Sequence, residues 1–463
     1  LFLPLTLLIY YILRNKSIKV KNAVLLIASI IFYSWGEAKF IYIMLLSIIL
    51  NYIFGIMVSN GHEKKRKLYL VLSVIFNLGI LFTYKYVDFS IGMVNSLFCL
   101  SIPKANIRLP IGISFFTFQA MSYVIDVYRS NARVQKNIFE LALYIFFFPQ
   151  LIAGPIVRYA TVCEQIQCRK ETLSGFSEGV EKFIIGLGKK VLMANTLALI
   201  SDKAFNMPAY DLSTPFAWLG AVAYTFMIYF DFSGYSDMAL GLGKMFGFTF
   251  EKNFDYPYIS HSVSEFWRRW HISMGQWFRD YLYFPLGGSR VNTKGRLIFN
   301  LFVVWFCTGL WHGASWNYIL WGLYYLCFLL LEKFYIKDRI PDKWKHVYTL
   351  IVIFFGWIIF KYSDLSQLGA VLLGMFGIGS AGFYSMDVKT VFLSNIFFLV
   401  FSMLACTTLG RSLHKYLLKT SNKNDVVMVL YSIFDAVLPF VLMLISVLAL
   451  LGNSYNPFLY FQF

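Results

Sequence analysis

Runs of apolar residues, each with few or no charges, recur along the whole chain and limit the folds open to it. They occupy residues 1–13, 23–35, 40–58, 68–82, 138–153, 216–230, 297–311, 318–331, 347–360, 391–406 and 433–451. A helix needs about 20 apolar residues to cross a bilayer upright, and backbone in lipid must satisfy its own hydrogen bonds. Several runs are shorter, so neighbouring helices must shield their polar ends. We therefore expect an all-α, polytopic membrane protein with about eleven transmembrane helices.

The balance of residue types excludes a soluble globular domain. Of the 463 residues, 58% are hydrophobic and 14% are charged, whereas soluble domains carry about 25% charged residues. The net charge of +17 is concentrated in short loops such as 14–21 and 62–67. Basic short loops are typical of the cytoplasmic side of a membrane. Since no basic domain stands clear of the membrane, we expect membrane lipid as a partner and no nucleic acid.

The chain has no internal repeat and no long Pro/Gly-rich linker, so we expect one membrane domain over residues 1–463. In its middle the apolar runs are interrupted by polar, Gly or Pro segments at 109–119, 148–159, 186–191, 229–243 and 265–290. Such backbone is tolerated at membrane depth only where protein covers it or water reaches it. We expect re-entrant and interfacial helices around a cavity in a core at 106–325, with scaffold helices at 1–105 and 326–463.

Two histidines stand out among these interrupted segments. His312 lies in LWHGASWNYILWG (310–322), directly after an apolar run, and His271 lies in WRRWHIS (267–273). A neutral imidazole can accept a proton from a hydroxyl that attacks a carbonyl. The alternative is a core histidine whose nitrogens are satisfied by neighbours. Because two such histidines occur, we take both as catalytic candidates.

The cysteines do not point to chemistry of their own. The six cysteines form no Cys-x-x-Cys pair and no matched Cys/His set, so we expect no metal. Cys307 precedes His312 by five residues, an offset that separates the two side chains around a helix. An acyl-cysteine is therefore not favoured.

The segment EFWRRWH (265–271) carries an unusual density of charge. On a helix, Glu265 would share a face with Arg268 and Arg269. One interpretation is an interfacial helix with a tryptophan belt. The other is that the guanidinium groups bind a phosphorylated donor. Both interpretations stay open from the residues alone.

A second polar segment, YFDFSGYSDMALG (229–241), lies between apolar residues. Asp231, Ser233, Tyr235 and Asp237 could line a tunnel or could lock helices together by hydrogen bonds. Trp311 and Asn317, beside His312, are further tunnel candidates. Lys189 and Lys190, in GLGKKV (186–191), lack the residues of a phosphate-binding loop.

Eight segments together resemble the membrane-bound O-acyltransferase (MBOAT) family, in its bacterial branch of alginate O-acetyltransferases. They are SIIFYSWGEAKF (29–40), LPIGISFFTFQAMSYVIDVYR (109–129), FPQLIAGPIVRY (148–159), YFDFSGYSDMALGLG (229–243), NFDYPYISHSVSEFWRRWHIS (253–273), RDYLYFPLGG (279–288), LWHGASWNYILWG (310–322) and NPFLYFQF (456–463). Peptidoglycan O-acetyltransferases and D-alanyl transferases are related to this branch.

The resemblance implies a ring of tilted helices around a central tunnel, in a bacterial cytoplasmic membrane. It implies that His312 is the catalytic histidine and His271 the second family histidine. The expected function moves an acetyl group from cytoplasmic acetyl-CoA, with no bound cofactor, to an exported or cell-wall polysaccharide. An extracytoplasmic SGNH-type acetyltransferase is the expected partner. The donor's phosphates would meet four cations: Arg268, Arg269, Lys189 and Lys190.

Three other functions stay open. D-alanyl transfer to teichoic acid differs in its donor, a carrier-protein thioester. A polar-solute transporter predicts inverted hydropathy repeats, which the sequence does not have. A non-catalytic scaffold for polysaccharide export predicts that function survives replacement of His312 by glutamine.

Overall fold

The computed structural model describes residues 1–152, 154–208, 210–336, 339–384, 386–421 and 425–452. Within these residues the regular structure is helical and contains no strand. The terminal NPFLYFQF (456–463) lies outside the described residues. The chain divides into two compact units: unit 1 comprises 1–180 with 239–251, and unit 2 comprises 181–238 with 252–463. The expected partition into core and scaffold segments stays a prediction.

Unit 1 is built from the first helices of the chain. They are α1 (Phe2–Ile12), α2 (Ile18–Glu37), α3 (Ile41–Asn60), α4 (Glu63–Lys85), α5 (Val87–Phe98), α6 (Ile113–Tyr128), α7 (Ile138–Phe146), α8 (Phe148–Leu151) and α9 (Tyr159–Gln167). A 3₁₀ turn at Ala38–Phe40 joins α2 to α3.

The later helices belong to unit 2, except that α10 and α12 contribute to both units. They are α10 (Leu173–Gly188), α11 (Asn195–Phe205), α12 (Thr214–Met245), α13 (Val263–Arg269), α14 (Ile272–Phe278), α15 (Lys294–His312), α16 (Trp316–Leu331), α17 (Asp342–Lys361), α18 (Leu365–Met375), α19 (Met386–Ala405), α20 (Leu409–Ser421) and α21 (Asp425–Leu451). A 3₁₀ turn lies at Pro257–Ile259, and π-helical turns lie at Lys189–Ala194, Arg279–Tyr283 and Glu332–Ile336.

Eight segments of the described chain are long and apolar enough to cross a membrane. They are Ile18–Asn60, Glu63–Lys85, Leu173–Phe205, Thr214–Met245, Trp316–Ile336, Asp342–Lys361, Met386–Ala405 and Asp425–Leu451. The first is 43 residues long and contains both α2 and α3, and α1, α5 and α18 are shorter apolar helices. Few residues of α19 and α21 are buried although both are strongly apolar, which is typical of surfaces that face lipid. The predicted polytopic, all-α membrane architecture is confirmed.

Two apolar runs differ from the simplest expectation. The run 138–153 is split, because α7 ends at Phe146 and α8 carries Pro149 in its first turn. Proline removes a backbone donor, and here it lies inside a buried part of unit 1. The run 297–311 forms α15, which is not among the eight candidate spans.

The polar segment 229–243 does not interrupt its helix. It lies within α12, which continues for 32 residues. A Cβ on Gly234 would lie 2.7 Å from the carbonyl oxygen of Gly186, and the reverse distance is 2.6 Å. Gly234 therefore allows close packing between α10 and α12.

Candidate active site

Two helices of unit 2, α15 and α16, form a hairpin whose turn follows His312. Glycines allow the two backbones to approach closely. A Cβ on Gly309 would overlap the carbonyl oxygen of Tyr318, and a Cβ on Gly322 would overlap that of Trp305. The glycines around His312 thus bring α16 against the end of the helix that carries it.

His312 is 7% exposed and lies among aromatic rings. Its ring meets Trp321 edge-on at 4.8 Å between centroids and Phe360 at 5.1 Å. It is the last residue of α15, and the negative end of a helix dipole stabilises a nearby cation by about 0.3–1 kcal/mol. The position therefore helps the imidazole to hold a proton that it has accepted.

Asn317 ties this hairpin to α17. Its side chain is fully buried, and Nδ2 donates to the carbonyl oxygen of Phe360 at 3.1 Å. Since the ring of Phe360 contacts His312, the hydrogen bond holds one wall of the surroundings of that histidine.

His271 lies between α13 and α14 in a left-handed backbone conformation, with φ of 45°. Few non-glycine residues adopt this conformation, and those that do often belong to functional sites. The carbonyl oxygen of Asn253 accepts from Ile272 N at 2.9 Å, and Phe232 packs edge-on against the imidazole at 4.6 Å. The turn buries the ring of His271 completely.

Asn253 fixes which nitrogen of His271 carries the proton. Its Oδ1 accepts from the backbone N–H of Ser273 at 3.1 Å and from Ser273 Oγ at 2.9 Å. Because a backbone N–H can only donate, the facing atom is the amide oxygen. The same oxygen lies 3.1 Å from His271 Nδ1, so Nδ1 carries the proton of the neutral ring. Nε2 then presents a lone pair, and within the described residues it has no hydrogen-bond partner.

Burial keeps this imidazole neutral. His271 lies outside the eight candidate spans, and burial lowers its pKa to about 3. The ring is therefore uncharged across the physiological range, and Nε2 acts as an acceptor there.

Trp311 connects the two histidines. Its ring centroid lies 5.0 Å from that of His312 and 5.8 Å from that of His271. All three side chains are buried. The structure thus brings both predicted catalytic histidines and one predicted tunnel residue into a single aromatic cluster of unit 2.

The charged residues Glu265 and Arg269 of the segment EFWRRWH (265–271) form contacts that hold α13 in place. Ser262 Oγ accepts from Glu265 N at 3.0 Å, the contact of an N-cap. The Glu265 carboxylate accepts from His261 N at 2.9 Å and pairs with Arg269 at 2.9 Å. Burial raises the pKa of Glu265, but these hydrogen bonds and the Arg269 charge outweigh it and hold the pKa below its usual value.

The two arginines of the segment have different surroundings. Arg269 Nη1 also donates to the carbonyl oxygen of Asp255 at 3.1 Å. Arg268 is exposed and lines a cavity of about 540 Å³. It forms no ion pair with any residue that the structure describes. The expected pairing with Glu265 therefore holds for Arg269 and not for Arg268.

Lys189 and Lys190 are paired with carboxylates of α12, inside unit 2. Asp237 contacts Lys189 at 2.7 Å and Lys182 at 3.0 Å. Asp231 contacts Lys190 at 2.5 Å, and both of these side chains are buried. These contacts match the helix-locking alternative for Asp231 and Asp237.

Ser233 and Tyr235 complete the predicted tunnel set. Ser233 is buried, and its Oγ has no hydrogen-bond partner in the described part of the chain. Tyr235 is half-buried. Because α12 is continuous, Asp231 and Ser233 point to roughly opposite sides of the helix. Asp231 and Tyr235 share one face of α12, and Ser233 and Asp237 share another.

Sequence reasoning did not single out Asn253. The available signal was its position at the start of the NFDYPYISHSVSEFWRRWHIS segment, which ends with the residues that Asn253 binds. Among the described residues no group of three or more His, Cys, Asp or Glu could hold a metal ion.

Comparison with known proteins gives consistent matches. The model of the membrane-bound O-acyltransferase family matches residues 27–371, a range that includes both histidines. The chain is 37% identical to the Pseudomonas putida protein named "Probable alginate O-acetylase AlgI", over 100% of this chain and 98% of that protein. It is 33% identical to the peptidoglycan O-acetyltransferase of Helicobacter pylori, over 81% of this chain and 78% of that protein. It is 28% identical to the teichoic acid D-alanyltransferase of Bacillus subtilis, over 56% of this chain and 70% of that protein.

Proposed function

The chain belongs to the membrane-bound O-acyltransferase family, and from that premise we propose that it is a membrane O-acetyltransferase for a polysaccharide. The donor would be cytoplasmic acetyl-CoA, and the acceptor an exported or cell-wall glycan. The names of the Pseudomonas putida and Helicobacter pylori relatives support an acetyl group and a glycan acceptor. The observation that carries the proposal is the buried pair of imidazoles joined through Trp311.

His312 is proposed as the general base. It removes the proton of the acceptor hydroxyl while the hydroxyl oxygen attacks the thioester carbonyl. The new ester C–O bond forms, the C–S bond breaks, and the sulfur leaves as the thiolate of the coenzyme. The imidazolium can then return its proton to that sulfur. Its place at the end of α15 stabilises this cation.

His271 is proposed as a hydrogen-bond acceptor. Polarising the thioester carbonyl would require an N–H at Nε2. The contact with Asn253 leaves a lone pair there instead, and burial opposes protonation. We therefore assign His271 to orienting a hydroxyl or another donor beside His312, with Asn253 as its positioning residue.

Of the four cations expected to bind the phosphates of the donor, three are engaged by carboxylates of the chain. Lys189, Lys190 and Arg269 each pair with a carboxylate. We propose that these three hold the helices around the histidines, which leaves less free charge for a coenzyme phosphate. Arg268 keeps an exposed guanidinium group.

A separate extracytoplasmic transferase of the SGNH type is proposed as the partner. Its hydroxyl is the acceptor that attacks the thioester at His312, and the partner then passes the acetyl group to the glycan. The described residues form helices that are largely apolar, and such surfaces suit lipid better than a polysaccharide chain.

The test is complementation of a deletion strain with wild type, His312→Gln or His271→Gln. Acetate released by mild base is measured in purified cell-wall and exported glycans, and the membrane abundance of each variant is measured alongside. We expect wild type to restore ester-linked acetate in one fraction and His312→Gln to be present but inactive.

Full restoration by His312→Gln would refute the catalytic assignment and favour a scaffold. If wild type changes no acetate fraction, the acetyl proposal fails. D-alanyl esters, the product named for the Bacillus subtilis relative, are then the next to assay.

A further inference from the structure

A cavity of about 540 Å³ opens beside α13 in unit 2, and its lining does not include His271 or His312. One part of the lining is apolar and includes Leu301, Leu329 and Ile336. Another part is cationic and includes Arg268, Lys333 and Lys345. Its volume lies within the range of about 300–1,000 Å³ that is common for ligand sites.

The cationic groups lie where two candidate spans end. Lys333 belongs to the last turn of the segment Trp316–Ile336, and Lys345 belongs to the first turn of Asp342–Lys361. Leu329 precedes Lys333 by one helical turn and therefore lies deeper along the same span. Charged residues at span ends reach the headgroup region, while the residues one turn further in meet hydrocarbon. The cavity thus crosses the boundary between these two environments.

The cavity has a surplus of positive charge. Neither Arg268 nor Lys333 forms an ion pair with a residue that the structure describes, while Lys345 pairs with the exposed Asp342 at 2.7 Å. The acidic residue in the lining, Glu332, is engaged by the start of α13. Its oxygens accept from Val263 N at 2.5 Å and from Ser264 N at 3.0 Å. Guanidinium and ammonium groups without carboxylate partners are well suited to a phosphate.

We propose that this cavity binds one anionic phospholipid of the membrane. Arg268 and Lys333 hold the phosphate, and an acyl chain lies against Leu301 and Leu329. A membrane lipid fits better than a coenzyme in solution, because Leu329 in the apolar part of the lining lies one turn inside a candidate span, at hydrocarbon depth. The inference assigns Arg268 to lipid and not to the donor phosphate, and it does not depend on the acceptor of the acetyl group.

The bound lipid would brace the catalytic segment. Arg268 lies on α13, three residues before His271, while Lys333 follows α16 and Lys345 lies on α17. A phosphate shared by Arg268 and Lys333 would join α13 to the turn that follows α16, beside the segment that carries His271. We expect the activity to depend on anionic lipid for this reason.

The experiment measures binding of phosphatidylglycerol to the full chain by native mass spectrometry, with coenzyme A titrated separately. The variants are the double change Arg268→Gln/Lys333→Gln and the single change Leu329→Trp, which fills the apolar part and keeps every charge. The matched control, Lys64→Gln/Lys65→Gln, removes two exposed lysines at the start of another span, Glu63–Lys85. Thermal unfolding verifies that each variant is folded.

We expect the double variant to bind phosphatidylglycerol about 30-fold more weakly, because each Lys or Arg at an anionic surface contributes roughly a fivefold gain in affinity. Leu329→Trp should also weaken binding, and the lysine control should not. Unchanged lipid affinity in both cavity variants would overturn the proposal. Loss of coenzyme A binding with unchanged lipid binding would also overturn it, since the phosphate at Arg268 would then belong to the donor.

Discussion

Replacing Asn253 by aspartate tests how His271 is held. The carboxylate keeps an oxygen that can accept from Ser273 N and Ser273 Oγ, so the local hydrogen bonds can persist. It also introduces a negative charge 3.1 Å from His271 Nδ1, judged by the present contact. The change therefore alters the charge of the pair while leaving its shape nearly the same.

The expected size follows from this short distance. Opposite charges about 4 Å apart attract by about 4 kcal/mol at an effective dielectric constant of about 20, equivalent to about three pKa units. Desolvation of the buried carboxylate offsets part of this, so we expect the pair to bind a proton about 1–3 units above the present pKa of His271. Since burial now lowers that pKa to about 3, the wild-type ring stays neutral as the pH falls towards 5.

The assay is the pH–rate profile of acetyl transfer in reconstituted membranes. Wild type should show no acid limb from His271, whereas Asn253→Asp should lose activity as the pH falls through the raised pKa. Asn22 offers a control in unit 1, since its buried Oδ1 accepts from Arg169 and aspartate keeps that acceptor, although aspartate loses the hydrogen bond from Nδ2 to the Ile166 carbonyl oxygen. Asn22→Asp should leave the profile unchanged. Superimposable profiles for Asn253→Asp and wild type would refute the role assigned to Asn253.

Three further changes test the packing and the chemistry. Gly309→Ala should lower the free energy of unfolding by about 3 kcal/mol, because the new Cβ would overlap the backbone of α16. Gly295→Ala in the same helix, where a Cβ meets nothing within 4 Å, should be neutral or stabilising by about 0.4–1 kcal/mol. Equal losses of unfolding free energy in the two variants would contradict the packing role of Gly309. Lys190→Met should lower the free energy of unfolding by about 3–5 kcal/mol, because it leaves the Asp231 carboxylate buried without a partner. Adding Asp231→Leu should recover most of the lost stability, and the KM for the donor should stay unchanged. A raised KM in the stable double variant would instead indicate donor binding. Cys307→Ser should restore full ester-linked acetate in the complementation assay. Loss of the acetate in this variant would favour an acyl-cysteine intermediate.

The helical membrane architecture could be predicted because lipid leaves a chain few choices. An apolar run must satisfy its own backbone, so the runs at 40–58 and 347–360 correspond closely to α3 and α17. The run at 138–153 shows the limit of this reasoning. The segment 148–159 was expected to interrupt this run, but composition does not show that the break falls at Phe147.

The two histidines were identified by their motifs, while their surroundings required the structure. The role of Asn253 depends on a left-handed residue at position 271, a conformation that the residue type does not specify. The pairing of Lys190 with Asp231 depends on the rotation of one helix against another. Rotation is set by packing and by the π-helical turn at 189–194, and apolar periodicity reports neither.

The π-helical turns also bear on which changes in length the chain can accept. Each of the turns at 189–194, 279–283 and 332–336 holds one residue more than an α-helix would need over the same rise. Deleting one residue there can restore a regular helix, whereas deletion in a regular stretch rotates all that follows by about 100°. These turns are therefore positions at which the chain can accept the gain or loss of a single residue. Such a change at 189–194 or 332–336 would turn Lys190 or Glu332 toward a new neighbour.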